Sequence, residues 1–257
     1  MRGIIGYGGY VPYQRLDREA IGAAHGGNAG TGTRAVASYD EDTTSMGVEA
    51  GRLVLRSLGE GGRELPQALW FSTTSPSYVD KTNANTVHAA LRLDRQIPAL
   101  DMNGAVRSAV GALQAALGGG PRLLVVAADR RTGLPNSADE REGGDAAAAV
   151  LVGDDSADAP VIASYLGGAS TTEEFLDRWR TPGDTRSKQW EERFGETRYV
   201  PLANEAWKLA LDAAGLAAGD IDTLIVSGTH ARATRVVAKQ LGATVGSVAD
   251  DLATSVG

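Results

Sequence analysis

Apolar runs of strand length alternate along this chain with stretches whose apolar residues recur at helical spacing. That alternation limits the fold more than any other feature. "QALWFSTTS" (67–75), "PALDM" (98–102) and "RLLVVAADR" (122–130) read as buried strands. Between them lie three helical stretches. "YDEDTTSMGVEAGRLVLRSL" (39–58) places acids and threonines ahead of Met46, Val48, Leu53, Val54, Leu55 and Leu58, the pattern of a capped amphipathic helix. "TNANTVHAALRL" (82–93) and "AVRSAVGALQAAL" (105–117) are the other two. Strands alternating with helices imply an α/β fold with a mostly parallel sheet and helices on its faces. The unbroken apolar run in 122–130 suits a strand covered on both faces.

The flanking segments extend the pattern. "GIIGYGGYVP" (3–12) starts as a strand and breaks at Gly8-Gly9 and Pro12. "LDREAIGAA" (16–24) predicts a short helix, and "GGDAAAAVLVGDD" (143–155) and "VIASYLGG" (161–168) two consecutive strands. "TTEEFLDRW" (171–179) predicts another short helix, and "TPGDTRSKQWEERFGET" (181–197) a long surface loop.

A repeat is visible. "EAGRLVLRSLGEGGRELPQALWFSTTS" from Glu49 and "EAWKLALDAAGLAAGDIDTLIVSGTH" from Glu205 are each a helix, a polar connector and a strand ending in small polar residues. They align with one gap and set Ser75 opposite His230. The chain therefore reads as two similar halves. Residues 1–168 form the first, 169–201 a charged surface insertion, and 202–257 the start of a second half that is incomplete here.

Composition narrows the chemistry. The net charge is −7, with 33 glycines and no cysteine. An acidic balance argues against general nucleic-acid binding, which needs a basic face, but leaves room for a local basic pocket. Without cysteine there are no disulfides, no cysteine-ligated metals and no cysteine nucleophile. "MRGIIGYGGY" lacks the apolar core of a signal peptide, and the longest apolar run, "AAAAVLV" (146–152), is too short to span a bilayer. A cytoplasmic protein without membrane association is the expectation. The glycine stretches "GYGG" and "GGASTTEE" are turns, since neither sits in the strand–GxGxxG–helix setting of a phosphate loop.

Seven segments in order, across nearly the whole chain, resemble the thiolase superfamily and within it the hydroxymethylglutaryl-CoA synthase branch. They are "GIIGYGGYVPYQRL", "DEDTTSMGVEAGR", "STTSPSYVDKTNA", "ALDMNGAVRSAVGALQAAL", "EGGDAAAAVLVGDD", "EEFLDRWR…ERFGETRYV" and "SGTHARATR". The resemblance implies a thiolase-like fold of two pseudo-equivalent βαβαβαββ halves in stacked α/β/α/β/α layers. It also implies an acyl-CoA ligand, a homodimer, and a role in lipid metabolism as a transferase or lyase. Such proteins normally carry a cysteine at the strand-to-helix turn that takes the acyl group, a glutamate that moves a proton, and an assisting histidine. On this chain the cysteine position falls at Val106, the glutamate position at about Thr73, and the histidine position at His230, which is retained.

The residues themselves allow plainer readings beside the functional ones. His230 is a general base or oxyanion donor on the first reading and a capping or packing histidine on the second. Tyr78 and Asp80 lie in the loop after the strand at 67–75, where either could supply a proton-transfer group or merely belong to a surface loop or a dimer contact. Arg107 and Lys81 could meet the phosphates of coenzyme A or only water. Ser108 lies about 200° around the helix from Val106 and should point away from it. His88 reads as a helix-face residue and His25 as a loop residue.

Val106 cannot be acylated, so condensation through a thioester at that position is excluded. The expected function is chemistry on a carbon–carbon bond of a β-hydroxyacyl-CoA or β-ketoacyl-CoA without a covalent acyl-enzyme, of retro-aldolase/lyase or synthase type. No metal and no cofactor is expected, the coenzyme A ester being the substrate. The alternative is a non-catalytic thiolase-fold subunit that scaffolds a partner containing an OB-fold and a zinc ribbon.

Overall fold

The computed structural model describes residues 1–27, 30–250 and 252–257. The chain divides into two compact units. The first comprises Met1–Arg131, Arg141–Tyr165 and Thr254–Gly257, and the second Thr132–Glu140 and Leu166–Ala253.

In the first unit the elements are β1 (Arg2–Tyr10), β2 (Gln14–Asp17), α1 (Arg18–Ala24), β3 (Thr33–Val36), α2 (Thr43–Ser57), β4 (Ala68–Ser72), α3 (Ala84–Leu91), β5 (Ala99–Asp101), α4 (Ser108–Gly118) and β6 (Leu123–Asp129). The short α5 (Ala138–Glu142) lies across the change of unit in sequence, and β7 (Ala146–Asp154) and β8 (Ala163–Ser164) complete the set. Leaving aside β2, α1 and β3, as well as α5 and the edge strand β8, the order is β1-α2-β4-α3-β5-α4-β6-β7. This is the βαβαβαββ half implied by the resemblance. The six-stranded sheet runs β5-β4-β6-β7-β1-β8. β4 lies parallel to β5 and β6, whereas β7 runs antiparallel to both β6 and β1, so the sheet is mixed and not mostly parallel. The reason is connection length: β7 follows β6 without a crossover helix spanning the sheet.

Strand alternation decides which face each helix covers. Leu69 and Phe71 of β4 and Leu124 and Val126 of β6 point to one face, where they bury with Met46, Val54, Val87 and Leu91 of α2 and α3. Ala68 of β4 and Leu123 and Val125 of β6 point to the other, against Ala112 and Ala116 of α4. Helix α2 lies close to the sheet because Gly47 has no side chain; a Cβ there would stand 3.0 Å from the Phe71 ring. Its start is a capping box: Asp42 accepts from Ser45 N at 2.7 Å, and the Ser45 hydroxyl accepts from Asp42 N at 2.8 Å.

The β2–β3 hairpin is clasped to the start of β7 by a buried ion pair. The Asp145 carboxylate accepts from Ala37 N at 2.8 Å and Arg131 N at 2.7 Å, with the Arg34 guanidinium 3.5 Å away. Burial pushes the Asp145 carboxyl above its ordinary value, and these donors only partly offset it.

The second unit contains β9 (Arg178–Trp179), β10 (Lys188–Gln189), α6 (Glu192–Ala214), β11 (Thr223–Leu224), α7 (Ala231–Gly242) and β12 (Ser247–Val248). No helix forms over 171–179; Arg178 and Trp179 instead pair antiparallel with Gln189 and Lys188. The stretch read as loop to residue 197 turns helical at Glu192, and α6 runs on through Pro201. The buried strand expected to end at His230 is two residues long, since its ladder to β12 covers only Thr223 and Leu224.

The repeat is structural. α2, a 3-10 turn at Gly62–Glu64 and β4 in the first unit match α6, a 3-10 turn at Ala218–Asp220 and β11 in the second. β11 then pairs parallel with β12 as β4 pairs parallel with β5. Among the described residues, no helix is long and apolar enough to cross a membrane.

Candidate functional site

The ends of β4, β5 and β6 carry a connected set of polar groups. Asp129, the last residue of β6, accepts on Oδ1 from the Thr73 hydroxyl at 3.1 Å, from Thr74 N at 2.7 Å and from the Thr74 hydroxyl at 2.9 Å. Its Oδ2 faces Arg131 Nη2 at 3.4 Å. Thr73 N donates to Asn103 Oδ1 at 3.0 Å, and the Thr73 hydroxyl accepts from Ser75 N at 3.0 Å. Thr73 and Thr74 are buried, and each of their polar atoms named here has a protein partner, as buried polar groups require.

Asp129 and Asn103 did not stand out in the sequence. The only signal was an acid closing a long apolar run and an amide following a short strand. β6 lies between β4 and β7, so its apolar character reflects a position inside the sheet.

Val106 sits in the turn between β5 and α4, ahead of the first helical residue, Ser108, and is 40% exposed. Arg107 is the N-cap residue and makes no side-chain cap hydrogen bond. The Ser108 hydroxyl turns back to accept from Ala105 N at 3.2 Å. Asp101, the last residue of β5, ties that strand to the start of α3: its carboxylate accepts from Asn83 N at 2.8 Å and Ala84 N at 2.7 Å.

Asn83 in turn shapes the loop carrying the other candidates. Its Nδ2 donates to the Tyr78 carbonyl at 2.9 Å, and its Oδ1 accepts from Tyr78 N at 3.0 Å. Tyr78 and Asp80 are exposed. The Lys81 ammonium lies 5.0 Å from the Tyr78 ring centroid and donates to the Thr86 hydroxyl at 2.7 Å.

His230, in the second unit, is the N-cap of α7. Its Nδ1 accepts from Ala233 N at 3.1 Å, which leaves the proton on Nε2, 2.9 Å from the Glu192 carbonyl. Both nitrogens of the imidazole are thus joined to main-chain groups. It packs 5.7 Å from the Tyr199 ring and against Gly195, where a Cβ would stand 2.4 Å from Nε2. Thr73, Tyr78, Asp80, Lys81, Val106 and Arg107 belong to the first unit and His230 to the second. His88 bonds the Asp94 carbonyl at 2.9 Å, and His25 ends α1.

No protein-family model matches the chain. Among curated proteins it is similar to the hydroxymethylglutaryl-CoA synthase of Pyrococcus horikoshii, 28% identical over 246 residues that span 93% of this chain and 69% of the relative. It is likewise 28% identical to the enzyme of the same name from Aeropyrum pernix, over 98% of this chain and 72% of the relative. Among solved structures, 3-oxoacyl-(acyl carrier protein) synthase III from Pseudomonas aeruginosa PAO1 superposes with a TM-score of 0.83 at 20% identity, covering 100% of this chain and 84% of that one. MvaS in complex with 3-hydroxy-3-methylglutaryl coenzyme A superposes with a TM-score of 0.77 at 22% identity, covering 95% of this chain and 63% of that one. The fold is thiolase-like.

Proposed function

We propose that this chain binds an acyl-CoA ester and acts on the bond between its α and β carbons without ever carrying the acyl group. In the cleavage direction a base takes the proton of a β-hydroxyl and the α–β bond breaks. The electron pair moves into the thioester as an enolate, which is then protonated at the α carbon. Nothing in this sequence of steps needs a thiol.

One observation carries the reading. The chain keeps the β5–α4 turn beside a polar rim at the strand ends, yet has Val106 in the turn and no cysteine at any position. Support comes also from the similarity to hydroxymethylglutaryl-CoA synthases across 93% of the chain. The exposed end of α4 offers backbone N–H groups that can polarise a thioester carbonyl. Lys81 and Arg107 would meet the coenzyme A phosphates, and Tyr78 or Asp80 would exchange the proton. No resident cofactor or metal takes part in this scheme.

The test is incubation with 3-hydroxy-3-methylglutaryl-CoA and, for the reverse direction, with acetyl-CoA together with acetoacetate, followed by intact-mass measurement and chromatography of the coenzyme A products. Cleavage or condensation with an unmodified protein mass is expected. A stable acyl adduct on any side chain overturns the reading.

A second reading is favoured by the state of His230. With both nitrogens bonded to Ala233 N and the Glu192 carbonyl, the ring holds a helix start. On that reading the chain is a non-catalytic subunit, as a homodimer in the cytoplasm, that scaffolds an OB-fold and zinc-ribbon protein. No turnover of either ester, with complex formation intact, would select it.

A further inference from the structure

A charged cleft lies at the far end of α2 from the polar rim. The helix begins at the rim, where the Thr43 hydroxyl donates to the Ser75 carbonyl at 3.0 Å. At the helical rise its last turn, which carries Arg56, is about 20 Å away. There the chain makes a tight return. Gly59 and Gly61 have φ of 76° and 88°, the left-handed region that favours glycine. A Cβ at Gly62 would collide with the Leu55 carbonyl, so the loop folds directly onto α2. On the other side, Gly51 lets α3 close on the same helix; a Cβ there would stand 2.9 Å from Leu91 Cδ1. Loop, α2 and α3 enclose a cleft of about 330 Å³, within the range of small-molecule sites.

Leu55 and Leu91 give the cleft apolar surface, and charged groups surround it. Arg52 and Arg56 come from successive turns of α2, and Arg63 from the loop. Arg52 is paired with Glu49. Arg56 and Arg63 differ from it: among the described residues their guanidinium groups have no hydrogen-bond or ion-pair partner. The same holds for the carboxylates of Glu60 and Glu64, which line the same cleft. Two cations and two anions thus share one small space without pairing, in a chain whose net charge is −7.

We propose that this cleft binds a phosphate monoester of a hydroxylated molecule, a sugar phosphate or a nucleoside monophosphate, at a site separate from the acyl-CoA chemistry. Two guanidinium groups match the charge of a phosphate monoester, about −1.5 to −2 at neutral pH. Their planar forks bond its oxygens two at a time. The carboxylates are acceptors only, so Glu60 and Glu64 call for hydroxyl donors on the same ligand. The phosphate lies between Arg56 and Arg63, the hydroxyls meet the two glutamates, and the carbon framework rests on Leu55 and Leu91.

The test is calorimetric titration of the full chain with glucose 6-phosphate, adenosine 5′-monophosphate and inorganic phosphate. One of the two esters should bind, one molecule per chain, with a Kd below about 1 mM and roughly tenfold or more below that of inorganic phosphate; which ester binds identifies the source. Arg56 and Arg63 are exposed, so Arg56→Gln and Arg63→Gln should keep the thermal midpoint of the parent while each weakens the ester roughly tenfold. The combined variant Glu60→Ala, Glu64→Ala should erase the preference for the ester over inorganic phosphate. Adenosine 5′-monophosphate is also a fragment of coenzyme A, so Lys81→Ala is the control and should leave its binding unchanged. The proposal is overturned if neither ester binds in that range or if inorganic phosphate binds equally well. It is overturned also by insensitivity to both arginine variants, by a preference that survives loss of the two glutamates, or by binding lost in Lys81→Ala.

Discussion

The hydroxyl of Thr73 donates to the carboxylate of Asp129 at 3.1 Å, across the ladder from β4 to β6. The position that the resemblance assigns to a lost glutamate is thus occupied by a threonine bound to an aspartate from the next strand. Asp129→Ala removes the acceptor of three donors, among them the buried Thr74 N–H. The side chain is 33% exposed, so water softens the loss. A destabilisation of about 1–2 kcal/mol is expected in denaturant unfolding, with Asp129→Asn costing less because it keeps an acceptor oxygen. Equal stability of the alanine variant would contradict the network.

His230 can be tested with a substitution that separates its two roles. Asparagine is a good N-cap but no base. His230→Asn should therefore keep α7 capped and leave the thermal midpoint close to that of the parent. If the chain is an enzyme using this imidazole, the same change should lower kcat by roughly 10²–10⁴-fold. Activity that survives in a stable His230→Asn protein would remove His230 from the chemistry.

Gly195 lies inside α6, where alanine is ordinarily favoured by about 0.5–1 kcal/mol. Here the added Cβ would meet the His230 ring at 2.4 Å. Gly195→Ala should accordingly destabilise the protein, and combining it with His230→Ala should relieve the clash. A double-mutant cycle in the thermal midpoint that shows no coupling would place the ring elsewhere.

Asp42 gives a pH dependence of known sign. Burial pushes its carboxyl up, but hydrogen bonds from Ser45 N, the Ser77 and Ser45 hydroxyls and Thr44 N outweigh that and hold it below the ordinary value. Its stabilising contribution is therefore complete above the unfolded value of about 3.9 and is lost as pH falls through the lower folded value. Asp42→Ala should cost about 0.5–2 kcal/mol at neutral pH through loss of the cap. The gap between the two proteins should close only in strong acid. A gap that closes above pH 5 would count against this geometry.

Val106→Cys restores a thiol at the start of α4, where the helix end lowers its pKa. Incubated with acetyl-CoA, this variant should gain one acyl group by intact mass while the parent stays unmodified. No adduct on a folded Val106→Cys protein would argue that the turn no longer faces an acyl-CoA.

The first unit was legible because its signals are long. α2, α4 and β6 each show a full period of their pattern, and the repeat survives in both the helices and the connectors. The β2–β3 hairpin was missed because four-residue strands with exposed Gln14, Arg15 and Leu16 carry no alternation to read. "TTEEFLDRW" looked like a capped helix, but pairing of Arg178 and Trp179 with 188–189 prevails over local propensity. Helix α6 was read as loop at its start because Gly195 and Pro201 are breakers by composition. The polar rim was invisible for another reason: Thr73, Asn103 and Asp129 are far apart in sequence and meet only through the sheet's register.

Pro201 has no N–H for the Thr197 carbonyl, so the hydrogen-bond ladder of α6 is interrupted at Pro201, six residues after Gly195. The residues ahead of that break are the ones that touch His230, through the Glu192 carbonyl and Gly195. Both of these contacts therefore belong to the segment of α6 that precedes the proline, so a change to the last turns of the helix leaves the seat of the imidazole untouched.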